Sequence, residues 1–169
     1  MPTSWPGPCA RPTRNCTRPE TMDPNDVLKL ENQLCFPLYA ASRQLIKRYR
    51  PHLEALDLTY TQYITMMVLW EEGRVSVKAL GQRLYLDSGT LTPLLKQLER
   101  KGYLRRFRSR EDERVLLAEL TEAGQALRER ALPIPAQVGS CLPLEPEEAS
   151  ELYRLLYRLL RMEPEQNDT

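Results

Sequence analysis

Cys35 is the residue whose position most strongly indicates chemistry. It lies in the segment LENQLCFPLY, residues 30–39, two positions before Pro37. Proline is tolerated in the first turn of a helix but breaks a helix interior, so the helix predicted from Leu34 to about Arg50 begins near Cys35 or is kinked there. Free backbone N–H groups and the helix dipole favour a thiolate in a first turn. Cys35 is therefore a candidate reactive thiol, with a small core residue and a disulfide partner as alternatives.

Two tyrosines share the predicted helix face of Cys35. Tyr39 and Tyr49 follow it by 4 and 14 residues, and the helical repeat brings these positions to one side. A phenolic O–H can hydrogen-bond a thiolate. The alternative is that both tyrosines pack in the core with a polar tip.

The other residue counts exclude several kinds of site. His52 is the single histidine, so histidine-rich metal sites are excluded and a Ser/His/Asp site could use only this residue. The four cysteines lack CxxC spacing, and we expect neither zinc nor any other metal or cofactor. No apolar run approaches the ~20 residues of a membrane-spanning helix. With no signal-peptide core predicted, we expect a cytoplasmic protein without a structural disulfide framework.

Basic residues are concentrated in one part of the chain. The segment from Lys96 to Arg114 holds eight basic and four acidic residues, a net charge of +4 in a chain of net charge +1. Such asymmetry indicates phosphate binding, although a solvated helix and loop is the alternative.

Periodicity, caps and turn residues predict a mainly α, α+β fold. The first helix should end at Pro51. Further helices are predicted at 60–72, at 77–85 after the cap Ser76, at 88–101 after Asp87 or Ser88, after the cap Thr121, and from Pro146 to about Met162. A hairpin surrounds the segment SREDER, and PIPAQVGSCLPLEP is predicted to be a linker. Two short helices and a basic hairpin are typical of a winged helix-turn-helix.

The helix from Ser88 to Lys101 is the predicted recognition helix, although an ordinary amphipathic helix would show the same pattern. The candidate DNA contacts on this helix and at the hairpin tip, or wing, are Ser88, Thr90, Thr92, Lys96, Gln97, Arg108 and Arg110. Asp112 and Arg114 lie two residues apart, which suits a salt bridge that stiffens the wing.

The last helix carries a wide leucine stripe. Its members are Leu152, Leu155, Leu156, Leu159 and Leu160. We expect a homodimer interface here, with packing on the chain's own core as the alternative. A twofold dimer would present two recognition helices to the half-sites of a partly palindromic operator.

Four segments carry a resemblance to a known family: LENQLCFPLYAASR, LTYTQY, LYLDSGTLTPLLKQLE and RSREDERVLLAELTEAG. They are similar to the MarR family of winged-helix repressors, specifically its organic-hydroperoxide-sensing, OhrR-type branch, and the similarity extends over about residues 28–162. The resemblance implies a MarR-type domain at 22–169, with the winged helix-turn-helix at about 56–120 and dimerisation helices at about 24–50 and 121–162. Residues 1–21, including Cys9 and Cys16, should be a disordered tail, or Met22 is the true start.

The same resemblance implies a non-enzymatic repressor of peroxide-detoxification genes that binds double-stranded DNA as a homodimer. Cys35 would be oxidised to a sulfenic acid by organic hydroperoxides, with Tyr39, Tyr49 and Tyr60 near its sulfur. Cys141 would then form an intersubunit disulfide with Cys35, unless it is a bystander. The alternative functions are a repressor released by a non-covalent phenolic ligand and, from another class, a thiol peroxidase.

Overall fold

The computed structural model describes residues 27–161. The expectations for residues 1–21, with Cys9 and Cys16, for a start at Met22, for residues 24–26 and for Met162 lie outside the described residues. The chain divides between Arg43 and Gln44 into two units. In the first unit a 3-10 turn at Leu30–Asn32 precedes the beginning of helix α1.

Helix α1 spans Cys35–Glu54 and shows how the chain accommodates two prolines. Pro37 is its third residue, where backbone N–H groups have no intrahelical partner, so the ring removes no bond. This confirms the predicted start near Cys35. The predicted end at Pro51 is wrong, because the helix continues to Glu54. The single lost bond is tolerated since the last turn is anchored by Leu53, which is 2% exposed.

Four further helices begin where their capping residues predict. They are α2 at Tyr60–Glu72, α3 at Val77–Leu84, α4 at Ser88–Arg100 and α5 at Glu122–Ala131. Their caps are Thr59, Ser76, Asp87 and Thr121, each accepting a backbone N–H in the first turn. Each cap accepts from a first-turn backbone N–H that has no intrahelical partner, so these helix starts can be predicted from local sequence.

A three-stranded antiparallel sheet has the order β1-β3-β2, with β1 between α2 and α3 in the chain and the other two strands between α4 and α5. The predicted hairpin is confirmed as β2, Leu104–Arg108, and β3, Leu116–Leu120. Strand β1, Arg74–Ser76, was not predicted. It has three residues and pairs Val75 with the distant Ala118, so neither its length nor a local partner reveals it.

The segment predicted to be a linker contains another helix, α6 at Ile134–Gly139, which corrects that prediction. Its prolines lie at the first positions, where they are tolerated, and Ile134 and Val138 are buried one turn apart. Helix α7, Pro146–Leu160, begins at the predicted proline.

The core lies between α2, α3, α4 and the sheet. The leucine stripe of α4, Leu91, Leu94, Leu95 and Leu98, is buried together with Met66 and Leu69 of α2 and Leu80 of α3. The described residues thus form a mainly helical fold with a small sheet, in which α3, α4 and the β2–β3 wing make the predicted winged helix-turn-helix. Within residues 27–161 no helix combines the length and apolarity needed to cross a bilayer.

Gly124 provides a test of how closely α5 approaches the wing. A Cβ at this position would collide with the backbone carbonyl of Tyr103, whereas a Cβ at Gly139 in α6 would meet open space. We expect Gly124→Ala to lower the free energy of unfolding by about 1–3 kcal/mol, because backbone cannot yield as a flexible side chain can. Urea unfolding measures the loss. The matched control Gly139→Ala should be neutral or stabilising through helix propensity, and equal effects at both positions would contradict the prediction.

Candidate functional site

The N-terminal end of α4 carries exposed short polar side chains. Ser88, Thr90 and Thr92 are exposed, while the opposite side of the helix is buried. The Asp87 carboxylate accepts from the N–H of Thr90 at 2.9 Å and from its Oγ1 hydroxyl at 2.9 Å. These bonds hold the pKa of the Asp87 carboxyl below its usual range. The hydroxyl of Thr90 is therefore oriented by the cap, and Ser88 and Thr92 remain open.

Further along α4, Lys96 and Gln97 are also exposed. Lys96 has no ion-pair partner among residues 27–161. The side-chain oxygen of Gln97 accepts a hydrogen bond of 2.9 Å from Nε2 of Gln62, a buried residue in the first turn of α2. Gln97 is thus linked to the core at one end of its amide.

An ion pair joins α4 to the wing. Glu99 of α4 accepts from the backbone N–H of Arg106 in β2 at 2.9 Å and from its guanidinium Nη2 at 2.6 Å. These hydrogen bonds and the positive charge lower the pKa of the Glu99 carboxyl. On the sheet, Arg105 donates to Glu119 of β3 at 2.6 Å. Lys101 also pairs with Asp57, so three of the eight cations counted in the basic segment have internal partners, and the pairs of Arg105 and Arg106 orient the wing.

Arg108 and Arg110 remain exposed toward the end of the wing. Arg108 donates to the carbonyl of Arg114 at 3.1 Å, and Arg110 has no carboxylate partner within the described chain. The expected contact between Asp112 and Arg114 forms differently from the prediction. The Asp112 carboxylate accepts from the backbone N–H of Arg114 at 2.9 Å, which corrects the predicted side-chain salt bridge. A side-chain carboxylate that accepts from a main-chain N–H at a loop tip closes the turn and leaves the Arg114 guanidinium outside.

Cys35 is the first residue of α1, and its thiol is free and exposed. Tyr39 follows one turn later and is 56% exposed. Its phenolic oxygen accepts from Arg43 Nη1 at 2.6 Å, and the Arg43 guanidinium also lies 5.5 Å from the ring centroid. A cation therefore stands one turn beyond the Cys35–Tyr39 pair in the first unit.

Tyr49 and Tyr60 belong to an aromatic cluster in the second unit. Their ring centroids are 5.2 Å apart in an edge-to-face arrangement, and Tyr63 lies 5.9 Å from Tyr49. Burial raises the pKa of Tyr49, and burial together with neighbouring phenols raises the pKa of Tyr60 and Tyr63. These phenols therefore stay protonated at neutral pH and can donate hydrogen bonds. The structure brings Tyr49 and Tyr60 together as a pair.

Cys141 lies directly after α6 and is free and exposed. Its Sγ is 3.4 Å from the carbonyl of Gln137, and its own carbonyl accepts from Arg48 of α1 at 2.8 Å. The segment around this second thiol is thus attached to α1 in the second unit.

Known proteins of similar sequence are bacterial regulators. The organic hydroperoxide resistance transcriptional regulator of Bacillus subtilis strain 168 is 49% identical over 135 residues, which cover 80% of this chain and 92% of that protein. The family model described as transcriptional regulator SarA/Rot matches residues 44–130.

The solved structures point the same way. Reduced AbfR bound to DNA matches with a TM-score of 0.68 and 37% identity, over 80% of this chain and 92% of that one. AbfR of Staphylococcus epidermidis has also been solved with a disulfide formed, and that structure has a TM-score of 0.57 and 37% identity over 80% and 96% of the two chains.

The chain belongs to the MarR family of winged-helix transcriptional regulators. Its similarity to the Bacillus protein places it in the organic-hydroperoxide-sensing branch, which confirms the resemblance seen in the sequence. Its relatives are regulators rather than enzymes.

Several residues that organise this MarR-family site were not predicted. Arg43 and Arg48 lie in the predicted first helix, and the sequence assigned them no role. In the structure Arg43 contacts Tyr39, and Arg48 contacts the Cys141 segment. Gln62 of α2 contacts α4 through Gln97, and Glu99 of α4 contacts the wing through Arg106. The capping pattern Thr59-x-x-Gln62 could have revealed Gln62, and the i, i+4 spacing could have revealed the Tyr39–Arg43 contact. Arg48 and Cys141, in contrast, are distant in sequence. Among the described residues no cluster of three or more metal-ligating side chains occurs.

The ion pair between α4 and the wing gives a pH-dependent prediction. Because the folded pKa of Glu99 is depressed, its contribution is present above the ordinary glutamate value of 4.5 and is lost as the pH falls through the lower folded value. We expect Glu99→Gln to cost about 1 kcal/mol near neutral pH, since both partners are partly exposed. The difference from the wild-type protein should vanish in acid, as measured by urea unfolding across pH.

Glu113→Gln is the matched control, because Glu113 is an exposed wing carboxylate with no ion-pair partner in the described part of the chain. It should leave the unfolding free energy unchanged at every pH. A loss for Glu99→Gln that persisted undiminished in acid would show that the ion pair is not its source.

Proposed function

We propose that this chain is a redox-regulated DNA-binding repressor that releases its operator when organic hydroperoxides oxidise Cys35. The observation that carries the proposal is the exposed thiol of Cys35 at the first position of α1. The same chain presents a capped helix and an arginine-bearing wing, which suit the major groove and the adjacent groove or phosphates. The DNA-bound relative AbfR supports double-stranded DNA as the partner.

The proposed DNA contacts divide by position. Ser88, Thr90 and Thr92 at the start of α4 would meet base edges, with Lys96 and Gln97 one to two turns later. Arg108 and Arg110 of the wing would enter a narrow minor groove or bind phosphates. Asp112 and the Arg114 main chain would keep the wing loop closed.

The proposed oxidation proceeds in two balanced steps. The Cys35 thiolate attacks the terminal oxygen of the hydroperoxide, the O–O bond breaks, and the alkoxide leaves as an alcohol after taking a proton. The product is a sulfenic acid on Cys35. The thiol of Cys141 from a second subunit then attacks that sulfur, forming a disulfide and releasing water. The solved disulfide form of AbfR supports this second step.

Tyrosines would serve as donors to the reduced sulfur. Tyr39 lies one turn from Cys35, and the raised pKa values of Tyr49 and Tyr60 keep their O–H groups available. We propose that oxidation removes the acceptor for these bonds. The DNA-binding elements then move, and a nearly complete swing from bound to free requires about a 10⁴-fold difference in affinity between the two states.

Anisotropy of a labelled duplex, recovered from a random-sequence DNA pool, tests the sensing role. Cumene hydroperoxide should release the wild-type protein, and dithiothreitol should restore binding. Cys35→Ser should stay bound, because a hydroxyl is not oxidised by peroxide. A Cys9→Ser, Cys16→Ser double variant is the control and should respond like wild type. Release of Cys35→Ser would contradict the proposal and favour a non-covalent inducer, whereas continued peroxide consumption over many equivalents would favour a thiol peroxidase.

The recovery of the Cys35 thiol after treatment with peroxide and then dithiothreitol tests the role of Cys141. In Cys141→Ser, excess peroxide should carry Cys35 past the sulfenic acid to states that dithiothreitol does not reduce. Mass spectrometry of the Cys35 peptide would detect the added oxygens. If Cys35 recovers as fully as in the wild-type protein, Cys141 is a bystander.

A homodimer is proposed from the surface of α7. The helix has no buried residue, and Leu152, Leu155, Leu159 and Leu160 are each more than 40% exposed on the described chain. An apolar stripe of this width is stable in water only when another surface covers it. A second copy would do so and would pair two recognition helices on a partly palindromic operator.

Leu152→Asp should therefore shift the protein from dimer to monomer, because a carboxylate cannot be buried without a partner. Analytical ultracentrifugation measures the change, with an expected loss of dimer affinity of roughly tenfold or more. Ser150→Asp introduces the same charge on the opposite face of the helix and should leave the dimer intact. Equal dissociation of both variants would argue against α7 as the interface.

A further inference from the structure

Gln62 is a buried polar residue whose amide contacts three residues of the second unit and links α2 to α4. It is 2% exposed and lies in the first turn of α2. Its Oε1 is 3.1 Å from the backbone N of Thr59 and 3.4 Å from Nζ of Lys101, and its Nε2 is 2.9 Å from Oε1 of Gln97. Lys101 also pairs with Asp57 at 3.1 Å.

The direction of these hydrogen bonds follows from chemistry alone. A backbone N–H and a lysine ammonium can only donate, so the atom of Gln62 that faces them must be its carbonyl oxygen. The NH₂ group of Gln62 must then face Gln97. Because an NH₂ group only donates, the atom of Gln97 that meets it must be the Gln97 oxygen. A flip of either amide would place two donors or two acceptors against each other.

This arrangement determines what Gln97 shows to the outside. Its oxygen is bound to the core, and its NH₂ group remains at the exposed end of the side chain. We propose that Gln62 is a positioning residue that makes Gln97 a hydrogen-bond donor toward DNA. Gln97 would then contact acceptors: guanine O6 or N7, adenine N7, thymine O4 or a phosphate oxygen. It would not accept from the amino groups of cytosine or adenine. The inference rests on the proposed DNA-binding function.

The substitution Gln62→Glu reverses this polarity with little disturbance. Glutamate at the third position of a helix after threonine is a standard capping-box residue, so one carboxylate oxygen can still accept from Thr59 and Lys101. The other oxygen needs a donor, and Gln97 can supply it only by turning its NH₂ group inward. Its oxygen then points outward. Gln97 should become an acceptor, which cytosine N4 and adenine N6 can satisfy.

Selection of bound duplexes from a random-sequence DNA pool tests the proposal, with the cysteines of each protein kept reduced. The four proteins compared are wild type, Gln62→Glu, Gln97→Met and the double variant. Gln62→Glu should shift the preference at one position of each half-site toward cytosine or adenine by roughly fivefold or more, the effect of one hydrogen bond. Other positions should be unchanged. In the Gln97→Met background Gln62→Glu should have no such effect. Gln62→Glu could instead lower the affinity equally for all DNA sequences. If this loss is absent in the Gln97→Met background, the result would support the same polarity of Gln97 with a phosphate oxygen as its acceptor.

Controls separate this result from charge and folding effects. Gln125→Glu adds the same charge on an exposed position of α5 and should leave the base preference unchanged. Thermal unfolding of all variants reports any structural damage. An unchanged preference and affinity in Gln62→Glu, or a change that persists in the double variant, would overturn the proposal. Failure of the wild-type protein to select any DNA would instead refute the proposed function itself.

Discussion

Burial of four leucines on one side of α4 is the constraint on which the rest of the site depends. Leu91, Leu94, Leu95 and Leu98 are between 0% and 7% exposed. Each contributes roughly 1.5–3 kcal/mol on removal from water, which is large beside any single polar contact of this surface. With this side facing the core, the helix can present only its opposite side and flanks. The polar positions are therefore outside for a geometric reason, independent of their affinity for DNA.

Polar contacts then refine the position that the leucines set. Asp87 fixes the start of α4, Glu99 attaches its end to the wing, and Gln62 binds Gln97 from the core. The contacts of Glu99 and Gln62 join α4 to two different neighbours, the wing and α2. Helix α4 and the wing therefore form one surface. Arg105 and Arg106 are held in ion pairs on it, so only part of the positive charge faces outward.

The proposed redox elements are arranged differently from the proposed DNA-binding elements. Cys35 and Tyr39 occupy an exposed helix start, and Cys141 lies in an exposed segment after α6. Exposure of both thiols suits chemistry with an external oxidant and with each other across a proposed dimer. The aromatic cluster of Tyr49, Tyr60 and Tyr63 is partly buried and packs against the same core that holds α2, the helix carrying Gln62. A change at these phenols would thus act on an element that contacts α4.

Local sequence determined the helix starts, the hairpin, the leucine stripe of α4 and the identity of the family. Caps, proline at α7 and apolar periodicity act within a few residues, so they can be recognised without knowledge of the fold. Pro37, which the pattern left between a start and a kink, belongs to the first turn of α1. The bond from the Arg114 N–H to the Asp112 carboxylate is local, yet the sequence alone does not decide between it and a side-chain salt bridge. Only the tertiary structure decided the short strand β1, the continuation of α1 through Pro51, helix α6 and the pairing of Arg105 and Arg106. The polarity of Gln97 depends on a donor at Thr59 and a cation at Lys101. Such contacts join residues far apart in the chain, and their energies exist only when folding brings both partners together.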